Sequence, residues 1–344
     1  MKKLSNVFLI ITSMVKISSS TCNSLSIGNS HQELNHFNDF WLVVDFDGTC
    51  TKRDTVSILH KIASSYSNDN EKDEIQRHET WGKLEREFLS RYNHVKESIL
   101  SKGGQEKNLM ELENALDLLD EVSDDVTPKV SASHVLSGIP TKTSDMSACI
   151  KSNFNFIAAS KLQDNCVNTI ATAIANGWNF GVLSINWSPS LIESALIQKI
   201  GDFFDKYSSP DFHFPKKSIC NEELLKDHIW CNRIEENGEI QLIVPGAAQK
   251  REKLKKLQNI NEIKKNFIVY IGDSATDLLS LIEADIGILV GRSQGAVDFA
   301  QKFGFQVLPL TQLKQNSKYC MSKDIIWLTN DWKEIDSLLR RLKQ

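Results

Sequence analysis

The sequence predicts an α/β fold, a doubly wound parallel sheet of the Rossmann type with a helical cap inserted after the first strand. Three observations predict it: short apolar runs recur along the chain, helical periodicity lies between them, and a long helix-rich stretch interrupts the alternation after the first run. Alternating strands and helices build a parallel sheet whose ligand site lies beyond the carboxyl ends of the strands. We therefore expect the chemistry-bearing residues at that edge.

Five apolar runs have the length and composition of buried parallel strands. They cover residues 40–46, 179–185, 266–272, 285–291 and 305–310. Helical patterns between them cover residues 165–177, 188–200 and 274–284. The first pattern ends on Asn-Gly, the second begins with Ser188 before Pro189, and the third begins with a capping serine. These end signals support the predicted alternation.

A helix-rich insertion separates the first strand from the second. Helical patterns within it cover residues 56–66, 80–100 and 108–122, and a polar connection rich in serine and threonine follows through about residue 148. An insertion of roughly a hundred residues is too long for a loop and should form a subdomain of its own. We expect a helical cap over residues 52–160, and a core made of residues 39–51 and 161–344.

A second insertion is expected at residues 203–246. It contains the sequence IWCNRIEENGEIQLIV, residues 229–244, in which apolar residues flank Asn237-Gly238. Asn-Gly is a strong turn signal between two short strands. The sequence therefore predicts a hairpin here.

The composition is that of an ordinary globular protein and excludes a strongly basic surface. Of the 344 residues, 41% are hydrophobic and 24% are charged, and the formal net charge is −4. The basic run at 250–256 alternates with apolar residues, as a solvated helix face does, so we expect no nucleic-acid partner. The seven cysteines are scattered and form no CxxC pair, which indicates reduced thiols. Cys50 is interpreted as loop filling, because no histidine partner is suggested nearby.

Residues 1–38 are interpreted as an N-terminal extension or targeting segment. They begin with a basic pair, continue with a short apolar stretch and contain no acidic residue before Glu33. This pattern suits a secretory signal or a mitochondrial presequence, and the stretch is too short to span a membrane. Lys16, directly after the apolar stretch, and the unpaired cysteines argue against secretion. We expect a cytoplasmic protein, with the mitochondrion as the alternative and secretion less favoured.

Two acids follow the first strand, one residue apart. Asp45 and Asp47 stand where the strand ends, so their carboxylates are expected to lie about 6 to 7 Å apart, the distance set by the strand rise. Gly48 then lets the backbone turn sharply and bring its amide to a ligand. Two carboxylates in a tight pocket repel each other, and a bound divalent cation relieves that repulsion. The hard oxygen ligands indicate Mg²⁺.

Complementary groups follow two other predicted strands. The second strand ends in SINWS, which offers the hydroxyl of Ser184, and the third runs into GDSATD, which offers Asp273 and Asp277. The last two acids are four residues apart and share one face of a first helical turn. Ser184 has the alternative role of capping its own turn, and Asp277 that of an ordinary acid at a helix N-terminus.

A lysine completes the set. The sequence AAQKREKL begins a predicted helix and carries Lys250, with Lys253 one turn later. Lys250 is preferred because a residue at the helix entrance faces the strand ends. The chain order is therefore acid pair, hydroxyl, lysine, acid pair, all at one edge of one sheet.

These four motifs, DFDGT, SINWS, Lys250 and GDSATD, resemble in order those of the haloacid dehalogenase (HAD) superfamily of aspartate-nucleophile phosphatases. The match covers about residues 40–310, and the insertion after the first strand looks like that family's helical cap. Phosphoserine phosphatase-like enzymes share this pattern. TWGKLEREFLSRY, YIGDSATDLLSLIEADIGILVG and WLTNDWKEIDSLL further resemble the phosphatase domain that plants fuse to a thiaminase II-like domain, for which thiamin monophosphate is the substrate. In the 344 residues we expect no room for such a fused domain.

The resemblance implies hydrolysis of a small phosphomonoester through an aspartyl-phosphate. Asp45 is expected to be the nucleophile. Asp47 is expected to protonate the leaving oxygen and then to activate water. Mg²⁺ is expected on Asp45, the backbone carbonyl of Asp47, and Asp273.

The same resemblance assigns the phosphate-binding groups. Ser184, Lys250 and backbone amides around Gly48 would bind the transferring oxygens, and Asp277 would orient Lys250 or support the metal. Asn186 and Trp187 follow Ser184 and either touch the substrate or pack against the core. A last group is expected to be structural: Thr49, Asp54, Trp81, Trp178 and His134, with the reservation that a cap aromatic can stack on a heteroaromatic substrate.

Three other function classes stay open from the sequence. A phosphotransferase or phosphomutase would use the same residues with a cap that excludes water. A phosphoacceptor signalling domain would lack the cap and the second acid. A non-catalytic interaction protein should have lost one of the four motifs, and none is lost. The substrate and the oligomeric state are not predicted.

Overall fold

In the computed structural model, the described residues are 37–67, 70–102, 108–207, 225–259, 265–291, 294–315 and 323–343. The predicted targeting segment therefore lies outside the described residues up to residue 36. The middle of the second insertion, 208–224, also lies outside them. None of the described helices combines the length and the apolar character that crossing a membrane would require.

A seven-stranded sheet forms the centre of the molecule. Its strands are β1 (Phe37–Val44), β2 (Asn179–Leu183), β3 (Ile229–Trp230), β6 (Lys265–Gly272), β7 (Ile286–Val290), β8 (Gln306–Pro309) and β9 (Ile325–Thr329), and β4 (Arg233–Ile234) pairs separately with β5 (Ile240–Gln241). The order is β3-β2-β1-β6-β7-β9-β8, and every pair in this sheet is parallel. The predicted doubly wound α/β fold is confirmed.

The two faces of the sheet carry separate apolar clusters. In β1, Leu42 and Val44 pack on one face, whereas Trp41 and Val43 pack on the other. Successive side chains of a strand point to opposite faces, so a continuously apolar strand is what a sheet covered on both sides requires. Each fully buried aliphatic side chain contributes about 1.5 to 3 kcal/mol.

The helices fall into a cap group and a core group. The cap group contains α1 (Leu59–Ser67), α2 (Glu71–Ser101), α3 (Leu109–Ala132), α4 (Thr143–Ser152) and α5 (Phe154–Ala159). The core group contains α6 (Cys166–Ala175), α7 (Pro189–Ile192), α8 (Gln198–Tyr207), α9 (Ala247–Gln258), α10 (Leu278–Glu283), α11 (Gln294–Lys302), α12 (Leu310–Gln315) and α13 (Trp332–Leu342). One π-helical turn, Glu193–Ile197, joins α7 to α8. Ser188 caps α7 through Leu191, as its sequence position predicted.

The cap leaves and re-enters the core at one point. Thr51 forms an antiparallel bridge with Leu162, and the amide of Lys52 donates to the carbonyl of Lys161 at 2.8 Å. The first half of α3 packs into a core cluster through Leu112 and Leu116. Its second half belongs to a cluster made mainly of cap residues, which Leu191 and Ile234 also join. The domain boundaries at 52–160 stay a prediction.

One predicted feature of the insertions is wrong, and a second is confirmed only in part. The polar connection predicted after residue 122 is largely helical, because α3 continues to Ala132 and α4 follows. Val122, Val126 and Val130 recur at four-residue spacing and are buried. They form one apolar helix face, and its burial stabilises a helix whose other faces are polar. The predicted hairpin is shorter than expected. Only β4 and β5 pair as a hairpin around Gly238, while β3 joins the central sheet beside β2.

Besides β3, which was predicted in the hairpin, one strand of the central sheet, β9, was not predicted. The predicted strand at 305–310 is observed as β8, but it lies at the sheet edge, and β9 separates it from β7. The apolar run of β9 is immediately followed by α13, whose Trp332 is buried against the same core cluster. A strand that enters the sheet between two earlier ones gives no local signal of its position.

Candidate functional site

Three adjacent strands end in the predicted site residues. β1, in the middle of the trio, is followed by Asp45; β2 on one side is followed by Ser184, and β6 on the other by Asp273. The amide of Asp45 donates to the carbonyl of Ile271 at 2.8 Å, which extends the β1–β6 pairing by one residue. The strand order runs outward from β1 in both directions, through β2 to β3 on one side and through β6 to β7 on the other. Open α/β sheets bind ligands at such a topological switch point.

Lys250 lies at the centre of this group. Its ammonium Nζ is 2.8 Å from Asp45 Oδ1 and 2.7 Å from Asp277 Oδ1, and its side chain is fully buried. Burial by itself lowers the pKa of this lysine, but the charges of Asp277 and Asp45 outweigh it and raise the pKa above its ordinary value. Lys253 instead lies over the ring of Trp230, 4.5 Å from its centroid. The structure therefore brings Lys250, and not Lys253, to the acids.

Asp277 is held by many donors. Its Oδ1 also accepts from the hydroxyl of Tyr270 at 2.7 Å, and its Oδ2 accepts from the amides of Asp273 and Ser274 at 3.1 Å each. Burial raises the pKa of Asp277, but the charge and hydrogen bond of Lys250 and the other donors keep the pKa below its ordinary value. Asp277 is thus an ionised carboxylate whose two oxygens both accept hydrogen bonds, and it fixes the position of Lys250.

The other two acids have raised pKa values. Burial raises the pKa of Asp45 to about 6, although Lys250 and Ser184 act in the opposite direction. Burial and the charges of Asp277 and Asp45 raise the pKa of Asp273 to about 8. Carboxylate oxygens of these three aspartates lie within 4.8 Å of one another. Since the oxygens of Asp277 already accept several hydrogen bonds, Asp45 and Asp273 are the two carboxylates with capacity for a cation.

Asp47 lines the same cavity as Asp45 but contacts a different set of groups. Its Oδ1 accepts from the amide of Thr55 at 2.8 Å and from the Thr55 hydroxyl at 2.6 Å, and its Oδ2 accepts from Asn186 Nδ2 at 2.7 Å. Burial and the charge of Asp54 raise the pKa of Asp47 to about 7, against the effect of these hydrogen bonds. Asn186 therefore contacts a site residue, whereas sequence reasoning left its role open. Thr55 was missed, since a threonine eight residues beyond Asp47 gives no sequence signal of contact with it.

The loop after β1 has the conformation predicted for Gly48. Its φ is +72°, and a Cβ at this position would lie 2.3 Å from Asp273 Oδ2, so only glycine allows the carboxylate to come this close. The amide of Gly48 donates to Thr51 Oγ1 at 3.1 Å. The hydroxyl of Thr49 donates to Asp273 Oδ1 at 3.0 Å, which gives this residue a contact with the site beyond shaping the loop.

A cavity of about 400 Å³ lies above the strand ends. At its core end it is lined by Asp45, Asp47, Ser184 and Asp273. At its cap end it is lined by two kinds of residue: the aromatic side chains of Trp81, Phe88 and Trp187, and the acids Asp54, Glu85 and Asp124. The rings of Trp81 and Trp187 meet edge to face, with centroids 6.4 Å apart. Trp81 and Trp187 are therefore wall residues of the cavity.

Other residues singled out from the sequence lie outside the cavity. Trp178 packs in the core against Phe40, and His134 contacts the carbonyl of Asn237 through Nδ1 at 3.2 Å. Cys50 is buried, donates its thiol to the carbonyl of Asp45, and has a pKa raised by burial well above the ordinary value. A thiol of that kind is a poor nucleophile, which agrees with its interpretation as loop filling.

No family model matches the chain. A curated relative matches the chain. It is the protein named bifunctional TH2 protein, mitochondrial, from Arabidopsis thaliana, which is 27% identical over 329 residues. The resemblance to the HAD superfamily predicted from the four motifs is confirmed. The alignment covers 88% of this chain and 50% of the relative, so the chain spans about half of that protein's length.

Solved structures with similar chains include two of phosphoserine phosphatase. One, described as a phospho-aspartyl intermediate analogue, is 16% identical with a TM-score of 0.39, and the comparison covers 88% of this chain and 99% of the other. The second, in apo form, is 14% identical with a TM-score of 0.40 and coverages of 87% and 98%.

Proposed function

We propose that this chain is a magnesium-dependent phosphomonoester hydrolase that works through an aspartyl-phosphate on Asp45. One observation carries the proposal. Lys250, fixed by Asp277, holds its ammonium 2.8 Å from the buried Asp45, at the strand ends beneath a cavity that a second acid, Asp47, also lines. A phosphomonoester needs its charge neutralised, an in-line nucleophile and a proton for its leaving alcohol. The cluster offers a group for each need.

The donor set fits Mg²⁺. Asp45 and Asp273 supply hard carboxylate oxygens. The raised pKa of Asp273 reflects its burial and the repulsion from Asp277 and Asp45, and a cation would offset both effects. The carbonyl of Asp47 is the third proposed ligand. When bound, Mg²⁺ would offset the charge that the nucleophile and the phosphate share. Asp277 stays with Lys250, as a support and not as a ligand.

The chain's own residues divide the reaction between them. The ionised carboxylate of Asp45 attacks phosphorus, and Lys250 with Ser184 and loop amides near Gly48 binds the transferring oxygens. Asp47, whose pKa is about 7, delivers its proton to the leaving oxygen and then takes one from the water that hydrolyses the intermediate. Thr55 and Asn186 hold that carboxyl in place through both steps.

The cap end of the cavity supports a cationic, aromatic leaving group. Glu85 and Asp124 have no ion-pair partner in the described part of the chain, and Trp81, Phe88 and Trp187 offer ring faces and edges. Cations are attracted both to carboxylates and to aromatic faces. Thiamin monophosphate, the substrate that the sequence resemblance implies, combines a cationic ring with a phosphomonoester. It is our leading candidate among small phosphorylated metabolites.

A turnover screen tests the proposal. Purified protein with Mg²⁺ should release inorganic phosphate from an aryl phosphate and fastest from one metabolite in a panel of thiamin monophosphate, phosphocholine, phosphoserine and pyridoxal phosphate. Asp45→Asn should lower kcat by about 10⁴-fold or more at an unchanged melting temperature. Retained turnover in that variant would refute the nucleophile. Phosphoryl transfer to an added alcohol without release of phosphate would favour the phosphotransferase alternative.

The cellular location also remains a proposal. We expect cytoplasmic protein if residues 1–38 are inert, while the curated relative carries the word mitochondrial in its name and supports the alternative. A fusion of residues 1–38 to a fluorescent protein decides between them. Co-localisation with mitochondria would overturn the cytoplasmic expectation.

A further inference from the structure

Helix α9, which carries Lys250 in its first turn, begins without a capping side chain of its own. Its N-cap residue is Gly246, which forms no side-chain hydrogen bond. The first four amides of a helix have no partner within the helix, and a buried one needs an acceptor from elsewhere. Ala247, the first residue of α9, is fully buried.

The missing acceptor comes from the cap. Asp120 on helix α3 accepts a hydrogen bond from the amide of Ala247 on its Oδ2, at 2.8 Å. Gly246 makes room for this contact, because a Cβ there would lie 2.0 Å from the same oxygen. A carboxylate at this end also interacts favourably with the helix dipole. Partial burial raises the pKa of Asp120 to about 7, and the nearby charge of Lys250 acts in the opposite direction.

A second contact joins the same two helices. Glu113, two turns before Asp120 on α3, forms an ion pair with Arg251, the residue after Lys250. Arg251 also pairs with Glu283 of the core at 2.8 Å. Helix α3 therefore holds α9 at two points. Beyond Asp120, the same helix lines the cavity with Ser123, Asp124, Val126, Thr127 and Val130.

We propose that Asp120 is a positioning residue of the reaction, which sets Lys250 against Asp45 by capping α9 from the cap. This proposal rests on the proposed function. Its consequence is that the cap contributes to the phosphate end of the site and not only to the leaving-group end. The same helix, α3, forms a wall for the leaving group and fixes the lysine that meets the phosphate.

Four variants test the proposal. Asp120→Leu keeps the branched shape of the side chain and loses the acceptor. Asp120→Asn keeps an acceptor oxygen, and Gly246→Ala removes the same contact from the other side. Gly246 has extended backbone angles that alanine also adopts, so the added methyl acts through Asp120. Asp117→Ala, on the exposed face of the same helix, is the matched control.

The expected result is a fall in kcat and in kcat/KM by roughly 10- to 100-fold in Asp120→Leu and Gly246→Ala, since small misplacements of a catalytic group have effects of that size. Asp120→Asn and Asp117→Ala should stay within about threefold of wild type. A merely structural role for Asp120 would lower the melting temperature and leave kcat of the folded protein unchanged, which would overturn the proposal. Equal losses in Asp120→Asn and Asp120→Leu would also overturn it.

A second readout does not depend on turnover. Acetic anhydride labelling, followed by peptide mass spectrometry, reports the reactivity of Lys250 relative to Lys253 in each folded variant. Lys250 should become several-fold more reactive in Asp120→Leu and Gly246→Ala, because it leaves its buried ion pairs. If the wild type releases no phosphate at all, the proposed function fails, while this ratio still decides whether Asp120 positions Lys250. An unchanged ratio would refute the positioning role.

Discussion

The core end and the cap end of the cavity are built in opposite ways. At the core end, Asp45 and Asp277 both bond to Lys250, and Asp277 has further donors from Tyr270 and two amides. At the cap end, Glu85 and Asp124 have no ion-pair partner in the described residues and stand among aromatic rings. Fixed groups suit chemistry that is the same for every phosphomonoester, whereas unpaired acids and rings can be matched to one leaving group.

Of the tests below, the substitution of the general acid Asp47 at the core end has the largest expected effect. Asp47→Asn should lower kcat/KM, which reports the phosphoryl-transfer step alone, by about 10²- to 10⁴-fold with a poor alkyl leaving group, because the proton donor is lost. The loss should be much smaller with 4-nitrophenyl phosphate, whose leaving group departs as a stable anion. Steady-state rates on the two substrates provide the measurement. Equal losses on both would contradict the assigned role.

The pH profile sharpens the same prediction. Asp47 must be protonated to donate and has a pKa of about 7, so kcat/KM should fall as the pH rises above 7. Asp45 must be ionised to attack and has a pKa of about 6, so kcat/KM should rise as the pH passes 6, or at lower pH once a cation binds. Asp47→Asn should lose only the alkaline limb.

A smaller effect tests the cap end. Glu85→Gln combined with Asp124→Asn should lower kcat/KM for a cationic phosphomonoester by roughly tenfold relative to a neutral one, since each partly exposed charge pair contributes up to about 1 kcal/mol. Asp54 is left intact because its charge acts on Asp47.

The matched control for this test lies on the same two helices. Glu87→Gln with Asp125→Asn removes two acids that pair with Arg91 and Lys129 outside the cavity. This control should leave the ratio of cationic to neutral substrate unchanged. An equal shift in both double variants would indicate a general electrostatic effect and no subsite.

The smallest expected effect is on stability. Asp273 has a pKa of about 8 in the folded chain against an ordinary value of 3.8, so it binds a proton on folding between these values. Without Mg²⁺ its contribution to stability therefore falls as the pH rises from about 4 to 8. The increase in melting temperature caused by Mg²⁺ should accordingly grow with pH, by about 1 to 2 °C for each kcal/mol. Calorimetry on wild type and Asp273→Asn checks this, and a gain that survives in the variant would contradict the ligand assignment.

Comparing single residues shows how much of the site the sequence could predict. Asp45, Ser184 and Asp273 were predicted because each directly follows a buried strand, and parallel strands bring their carboxyl ends to one edge. Thr55 and Asp120 were not predicted. Thr55 contacts Asp47 eight residues before it, Asp120 contacts Ala247 127 residues after it, and neither spacing repeats a local period.

The sequence by itself determined the parallel sheet, the helical insertion and the set of acids, hydroxyl and lysine at the strand ends, because strand and helix periodicity are local properties. Only the tertiary structure decided which lysine meets Asp45, that β9 enters the sheet between β7 and β8, and that Asp120 of the cap holds the first amide of the lysine's helix. These outcomes depend on packing between segments far apart in the chain, where the preferred contact is the one that satisfies buried charge and hydrogen-bonding groups.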